Sequence, residues 1–288
     1  QPGTNLLKGI AYQNKGEINE ALKSYESERN INPSAADAYF NAGSIHLQRG
    51  NLQESERLLK QLITLQPDHN HGRLILAQAQ QNLGKWEEAV NNFQSTAFTE
   101  NVNAMIPFNM GLCLLELKHS QEAFAAFMHA TKRDPNLAPA WGNAGNYLKE
   151  IGELQKAQET YERVLGIDPN NAMALDAIAD IKRQEGKTDE AISLLSRVLE
   201  INPNNFRMLA NLGFLLSEDG QYDAAEKACN KSLAINPKHP DAYFTLGAAL
   251  KEQGQLDKAL ASTLKSLELK PDNPDALINL GSIYKDLG

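Results

Sequence analysis

The sequence predicts an all-α solenoid of antiparallel helix pairs, about 17 helices in all, and three observations carry that prediction. Seven prolines step by 34 residues: Pro33, Pro67, Pro135, Pro169, Pro203, Pro237 and Pro271, with the one missing member at Asn101. A small-residue column keeps the same step through Gly9, Gly43, Ala77, Gly111, Gly145, Ala179, Gly213, Gly247 and Gly281. A turn column follows through Gly16, Gly50, Gly84, Gly152, Gly186, Gly220, Gly254 and Gly288, with Lys118 as its exception. A period of this length marks one supersecondary unit that buries its apolar face only by stacking on copies of itself.

Taken in order, the units run over residues 2–35, 36–69, 70–103, 104–137, 138–171, 172–205, 206–239 and 240–273, and 274–288 form the first helix of a ninth. In each, the first helix carries the small column, so that a second helix can approach closely. The turn glycine then closes it, because glycine accepts the left-handed conformation at a helix C-terminus. The second helix carries its own small column: Ala21, Ser55, Ala89, Ala123, Ala157, Ala191, Ala225 and Ala259. Apolar residues recur at helical spacing, as Leu209, Leu212 and Leu216 and then Ala225, Cys229 and Leu233. Asn171, Asn205 and Asn273 stand where N-caps belong, and Pro240 and Pro274 take the first helical position. The pattern loosens in the third and fourth units. There Asn101 replaces proline, Lys118 replaces glycine, Arg133 stands where Ile167, Ile201 and Ile235 are apolar, and Pro107 enters a first helix. A softer joint is expected near residues 98–107.

Net charge is −8 and unevenly spread, with 12 basic against 14 acidic residues up to Leu137 and 16 against 22 from Ala138 onward. No cluster of Lys or Arg supplies a nucleic-acid or anionic-membrane footprint, and no apolar run reaches the roughly 20 residues that span a bilayer. Cys113 and Cys229 stand more than three repeats apart, so no disulfide is expected. The chain begins at Gln1 without a signal-like stretch and stops where a ninth repeat would turn. It therefore reads as a piece of a longer chain, with a cytoplasmic location expected.

The units resemble the tetratricopeptide repeat family in its aromatic–Leu–Gly, Ala–x3–aromatic, Pro pattern. The eighth shows it as Tyr243, Leu246, Gly247, Leu250, Ala259 and Pro271, the fifth as Trp141, Gly145, Leu148, Ala157, Tyr161 and Pro169. The resemblance covers the whole chain. It implies a right-handed superhelix whose concave groove holds an extended peptide or a partner helix.

In the seventh unit, rotation away from the packed face of the first helix lands on Arg207, Asn211, Phe214 and Glu218. The column through Asn211 holds Asn41, Asn109, Asn143 and Asn279, with Asn146 one turn beyond Asn143. Asn is a mediocre helix former, so five at one column call for a reason. An amide carries both donor and acceptor and can grip a peptide backbone, in an arrangement similar to the asparagine ladder in the repeat arm of O-linked N-acetylglucosamine transferases. Equally, Asn could fill a tight, wet position between neighbouring helices. Phe40, Leu47, Leu74, Met105, Phe108, Leu112 and Leu115 make an apolar stretch on or beside this face, either exposed for recognition or packed on the adjacent repeat. Phe214, Phe244 and Ile278 make a smaller, C-terminal version. The strip Glu116, Glu150, Glu218, Glu252 and Asp286, flanked by Lys and Arg, reads as solvated helix faces. Only Arg207 offers a cation inside the groove, against recognition of an acidic C-terminus.

No catalytic residue, cofactor or metal site is expected. His69 and His71 flank Asn70 behind Asp68, but no further ligands recur at metal-like spacing. Acidic neighbours such as Glu87 and Glu88 suit the first turn of a helix. The expected role is a non-catalytic scaffold binding a protein or peptide partner. The alternatives are a substrate-recruiting arm of a larger enzyme of glycosyltransferase or sulfotransferase type, and a homodimer joined through the repeat ends.

Overall fold

The computed structural model describes residues 2–96 and 103–288. Two compact units divide it, Gln1–Tyr147 and Leu148–Gly288. Among the described residues there are 17 helices and no strand. The first unit holds α1 (Thr4–Asn14), α2 (Ile18–Ile31), α3 (Ala36–Gln48), α4 (Leu52–Leu65), α5 (Asn70–Asn82), α6 (Trp86–Gln94), α7 (Met105–Glu116) and α8 (Ser120–Arg133). It also holds most of α9 (Ala138–Glu150), whose last residues belong to the second unit. The second continues with α10 (Leu154–Ile167), α11 (Ala172–Gln184), α12 (Thr188–Ile201), α13 (Phe206–Glu218), α14 (Tyr222–Ile235), α15 (Pro240–Glu252), α16 (Leu256–Leu269) and α17 (Pro274–Leu287). Within each unit consecutive helices pack together, and first helices of neighbouring repeats also touch, as α3 with α5 and α13 with α15. This is an all-α repeat solenoid.

The two small columns explain the close pairing. Ala21, Ala89, Ala123, Ala157, Ala191, Ala225 and Ala259 are fully buried, and Ser55, in the same column, donates its hydroxyl to the Gly43 carbonyl at 2.8 Å. A Cβ at Gly43 would lie 2.7 Å from Leu59 Cγ, one at Gly111 2.6 Å from Phe127 Cε1, and one at Gly213 2.6 Å from Cys229 Sγ. Glycine is there because the facing helix leaves no room. At Gly281, on α17, nothing comes within 4 Å.

Turns obey a different constraint. Gly152 has φ 81° and Lys118, the exception in the column, has φ 61°, so lysine adopts the left-handed conformation that glycine takes elsewhere. Asn171, Asn205 and Asn273 accept from the backbone N–H of Ala174, Met208 and Ala276 as N-caps. The same column contains His69 and His239, whose Nδ1 atoms accept from Gly72 at 2.9 Å and Ala242 at 3.1 Å. His69 is thus a cap, with its nitrogen committed to the backbone.

A further buried column escaped the sequence reading: Glu28, Leu62, Thr96, Ala130, Val164, Val198, Ser232 and Ser266. Its polar members Ser232 and Ser266 donate to the carbonyls of Phe206 and Pro240, at the start of the first helix of the same repeat, at 2.7 and 2.9 Å. Glu28, 1% exposed, reaches the backbone N–H groups of Gly3, Asn5 and Leu6 and so caps α1 from α2.

Asn101 and half of the expected soft joint, residues 98–102, lie outside the described residues. On its near side α6 spans 9 residues, against 14 for the second helices α2, α4, α8, α10, α12, α14 and α16. Pro107 occupies the third position of α7, where its missing N–H has no intrahelical partner to lose. Cys113 and Cys229 are free, buried thiols, and burial pushes them up to about 11 and about 12.

Candidate functional site

In the first unit the face of the first helices is partly covered by its own side chains. Phe40 is half-buried and meets the rings of His69 and His71 at 5.0 and 5.3 Å between centroids. Phe108 lies 5.8 Å from Phe127, and with Leu112 it packs against the cluster of Leu114, Ala126 and Phe127. Met105 and Leu115 remain 42% and 38% exposed. The aromatic members of the expected patch are therefore largely committed to packing, and the exposed remainder is two separate side chains. A different concavity, of about 230 Å³, opens between α6 and α8 over α7, lined by Val90, Met110, Leu114, Ala125 and Ala126.

The asparagine column does not present one repeated hydrogen-bond arrangement. Asn143 Nδ2 donates to its own helix at the Pro139 carbonyl, 2.8 Å away. Asn211 Nδ2 donates to Asp176 Oδ1 of the preceding repeat at 2.8 Å, and Asn279 Nδ2 to Thr263 Oγ1 at 3.2 Å. Asn41 and Asn109 are half-buried. Asn146, one turn beyond Asn143, is exposed and has an interaction of its own.

The second unit carries two adjoining clefts. The first, about 260 Å³, is lined by Lys149, Asp176, Asp180, Arg183, Asn211 and Phe214. Lys149 and Arg183 reach Asp180 at 2.5 and 3.0 Å, Arg183 also approaches Glu218 at 3.8 Å, and its guanidinium lies 5.7 Å from the Phe214 ring centroid. Burial works against ionisation of both aspartates, yet they move in opposite directions. For Asp180 the hydrogen bonds from Lys149 and Arg183 outweigh burial and hold its pKa below the ordinary carboxylate value. For Asp176 burial prevails over the bond from Asn211 and the charge of Lys149, and its pKa rises. The second cleft, about 290 Å³, lies between α13, α15 and the turn into α17, and shares Asn211 and Phe214 with the first. Phe244, Thr245, Asp241, Lys270, Asn273 and Asp275 complete its lining. Arg207 is exposed nearby, 5.8 Å from the Phe206 ring. The structure thus brings Asn211, Phe214 and Phe244 of the expected groove residues to one surface. The residues of α3 and α7 belong to the other unit.

A family model described as the Cilia and flagella-associated protein 70 C-terminal domain matches residues 69–277, and a tetratricopeptide repeat model matches residues 6–70. The chain belongs to the tetratricopeptide repeat family. Proteins of this family are typically protein-interaction scaffolds, and this tetratricopeptide repeat chain shares their fold with many solved structures. YrrB, described as a tetratricopeptide repeat protein with an unusual peptide-binding site, is 22% identical with a TM-score of 0.52, over 65% of this chain and 96% of its own. A chain of the APC/C hetero-tetramer Cut9-Hcn1 is 16% identical with a TM-score of 0.62, over 92% of this chain and 52% of its own. The C-terminal part of a repeat protein from Cytophaga hutchinsonii is 17% identical with a TM-score of 0.67, over 84% and 99% of the two chains. At these identities the likeness is one of fold. No curated protein matches the chain significantly.

The sequence places Asp176, Asp180 and Arg183 on the face of this tetratricopeptide repeat surface, with Lys149 beside it, but sequence reasoning did not single them out as site residues. The signal was present: Asp176 occupies the column of Phe40, Leu74, Phe108 and Phe244, so a carboxylate interrupts an otherwise largely apolar series. Among the described residues no helix is long and apolar enough to cross a membrane, and no group of three or more His, Cys, Asp or Glu is placed to hold a metal ion.

Proposed function

We propose that this chain is a scaffold that binds an extended peptide segment of a partner protein along the first-helix face of its second unit. The observation that carries the reading is the pair of adjoining clefts sharing Asn211 and Phe214. Together they offer aromatic walls, amides and charged groups over two successive repeats, the mixture expected where apolar contact supplies affinity and a few polar groups fix orientation. An extended peptide suits them because it exposes a donor or acceptor on every residue. YrrB, with the same fold, is described as having a peptide-binding site.

The test is selection of a random twelve-residue peptide library on the immobilised chain, followed by fluorescence anisotropy of the enriched peptides. Phe214→Ala combined with Asn211→Ala should weaken them about tenfold or more, the loss of one ring contact and one hydrogen bond. No enrichment, or affinities untouched by the double variant, would refute groove binding at this face.

A further inference from the structure

We infer that the cleft between α13, α15 and the turn into α17 is a subsite for a basic side chain, arginine or lysine, of the bound peptide; this rests on the peptide-binding reading above. Two carboxylates edge it, Asp241 and Asp275, in the first turns of α15 and α17. A single cation, Lys270, approaches Asp241 at 3.9 Å, the outer limit of an ion pair, and both side chains are more than half exposed. Among the described residues Asp275 has no ion pair, so the cleft is short of positive charge. Phe214 and Phe244 supply ring faces on which a cation can rest.

Inside the cleft, two polar side chains are more than nine-tenths buried. Thr245 is 3% exposed and Asn273 is 7% exposed. Asn273 spends its Oδ1 on the cap to Ala276, which leaves its Nδ2 donor without a partner among the described residues. Thr245 makes no side-chain hydrogen bond among them either. Among the described residues the fully enclosed unpaired side-chain atoms are those of Arg29 and Gln158, so neither of these two atoms is sealed from the cleft. Buried polar groups are paired as a rule, so both await a partner from the cleft side. An amide donor and a hydroxyl suit the backbone carbonyls on either side of a peptide residue.

The adjoining cleft shows what fits such a setting. There the chain supplies its own cation: Arg183 rests against Phe214 between Asp180 and Glu218, and the Asn211 donor is taken up by Asp176. In the cleft beside it the carboxylates and rings recur, and among the described residues no guanidinium lines it, Arg207 resting instead against Phe206. A basic residue of the partner occupies the equivalent place, with its carbonyls on Asn273 and Thr245.

Two arms test this. In the first, N-acetyl-arginine methylamide, N-acetyl-norleucine methylamide and N-acetyl-glutamate methylamide are titrated into the whole chain and followed by amide NMR. The arginine derivative should shift the Asn273 side-chain amide and the backbone of Thr245 and Phe244, and the other two should not. Equal shifts from the glutamate derivative, or none from arginine, overturn the inference and leave the cleft to ordered water. In the second arm, peptides enriched from the library should carry arginine or lysine and lose about tenfold in affinity to Asp241→Asn with Asp275→Asn, as for a charge-assisted contact. Asn273→Asp, which keeps the cap acceptor and deletes the donor, and Thr245→Val should weaken them further, with thermal melting as the check on folding. Enriched peptides without basic residues, or insensitive to these variants, sink the subsite while the groove reading stands. A library that yields nothing sinks the groove reading, and the arginine titration still decides the cleft.

Discussion

Gly247 and Gly281 occupy the same column one repeat apart, and replacing each with alanine should move stability in opposite directions. Alanine favours a helix over glycine by about 1 kcal/mol. At Gly281 nothing among the described residues lies within 4 Å of the new methyl, so in this 288-residue chain the whole gain should be realised. At Gly247 the methyl would collide with Thr263 Oγ1 and lie 3.2 Å from the Ala259 carbonyl oxygen and 3.3 Å from Thr263 N. The last two are backbone atoms, which yield only if α16 shifts away from α15. Thr263 is fully buried, and its hydroxyl accepts from Asn279, so displacing it disturbs the next repeat as well. Overpacking of this kind costs about 1–3 kcal/mol, which leaves Gly247→Ala up to about 2 kcal/mol less stable after the propensity gain. Urea midpoints of the two variants against the parent chain measure the difference, and native-state hydrogen exchange locates it at α15 and α16. A Gly247→Ala variant as stable as Gly281→Ala would refute the claim that the facing helix, and not helix propensity, selects glycine at this column.

Lys118→Gly should stabilise the first unit by about 1 kcal/mol, because lysine is held at positive φ where glycine is at ease; a lower urea midpoint would contradict this. Glu28→Ala removes the acceptor for three backbone N–H groups and should cost about 2 kcal/mol, as for a hydrogen bond to a charged group, with faster exchange in α1 as its local signature. His239 caps α15 through a neutral Nδ1, and its pKa is lowered by burial, opposed by Asp241 and aided by Arg207. The folded chain therefore binds fewer protons here than the unfolded one, so this contribution is complete above the ordinary histidine value near 6.5 and is lost as pH falls through the lowered one. Melting temperature against pH should show that loss, and His239→Asn, which keeps a cap acceptor without titrating, should flatten the slope. His46 and His129, lowered in the same sense, will leave some slope behind.

Periodicity made the helices, turns and caps legible because those features depend on the backbone and on nearest neighbours. A glycine repeated at 34-residue intervals announces a close helix pair whatever lies beyond it. The groove was legible only as a direction. Which partner Asn143, Asn211 or Asn279 takes depends on what its own helix and the neighbouring repeat place within 3 Å or so, and each finds a different one: a carbonyl of its own helix, a carboxylate and a hydroxyl of the preceding repeat. Phe40 and Phe108 share a column, yet one meets two imidazoles and the other a phenyl ring. The column of Glu28, Ser232 and Ser266 was hidden for a related reason. Its members share a task, holding the end of a second helix to the start of a first, but use unrelated side chains to perform it.

That column also bears on how such a chain changes length. Ser232 with Phe206, and Ser266 with Pro240, are partners 26 residues apart inside one repeat. These two repeats, the seventh and eighth, therefore each carry both halves of their own clasp. Duplication or deletion of either unit whole leaves these clasps intact, whereas a cut between Phe206 and Ser232, or between Pro240 and Ser266, separates their halves.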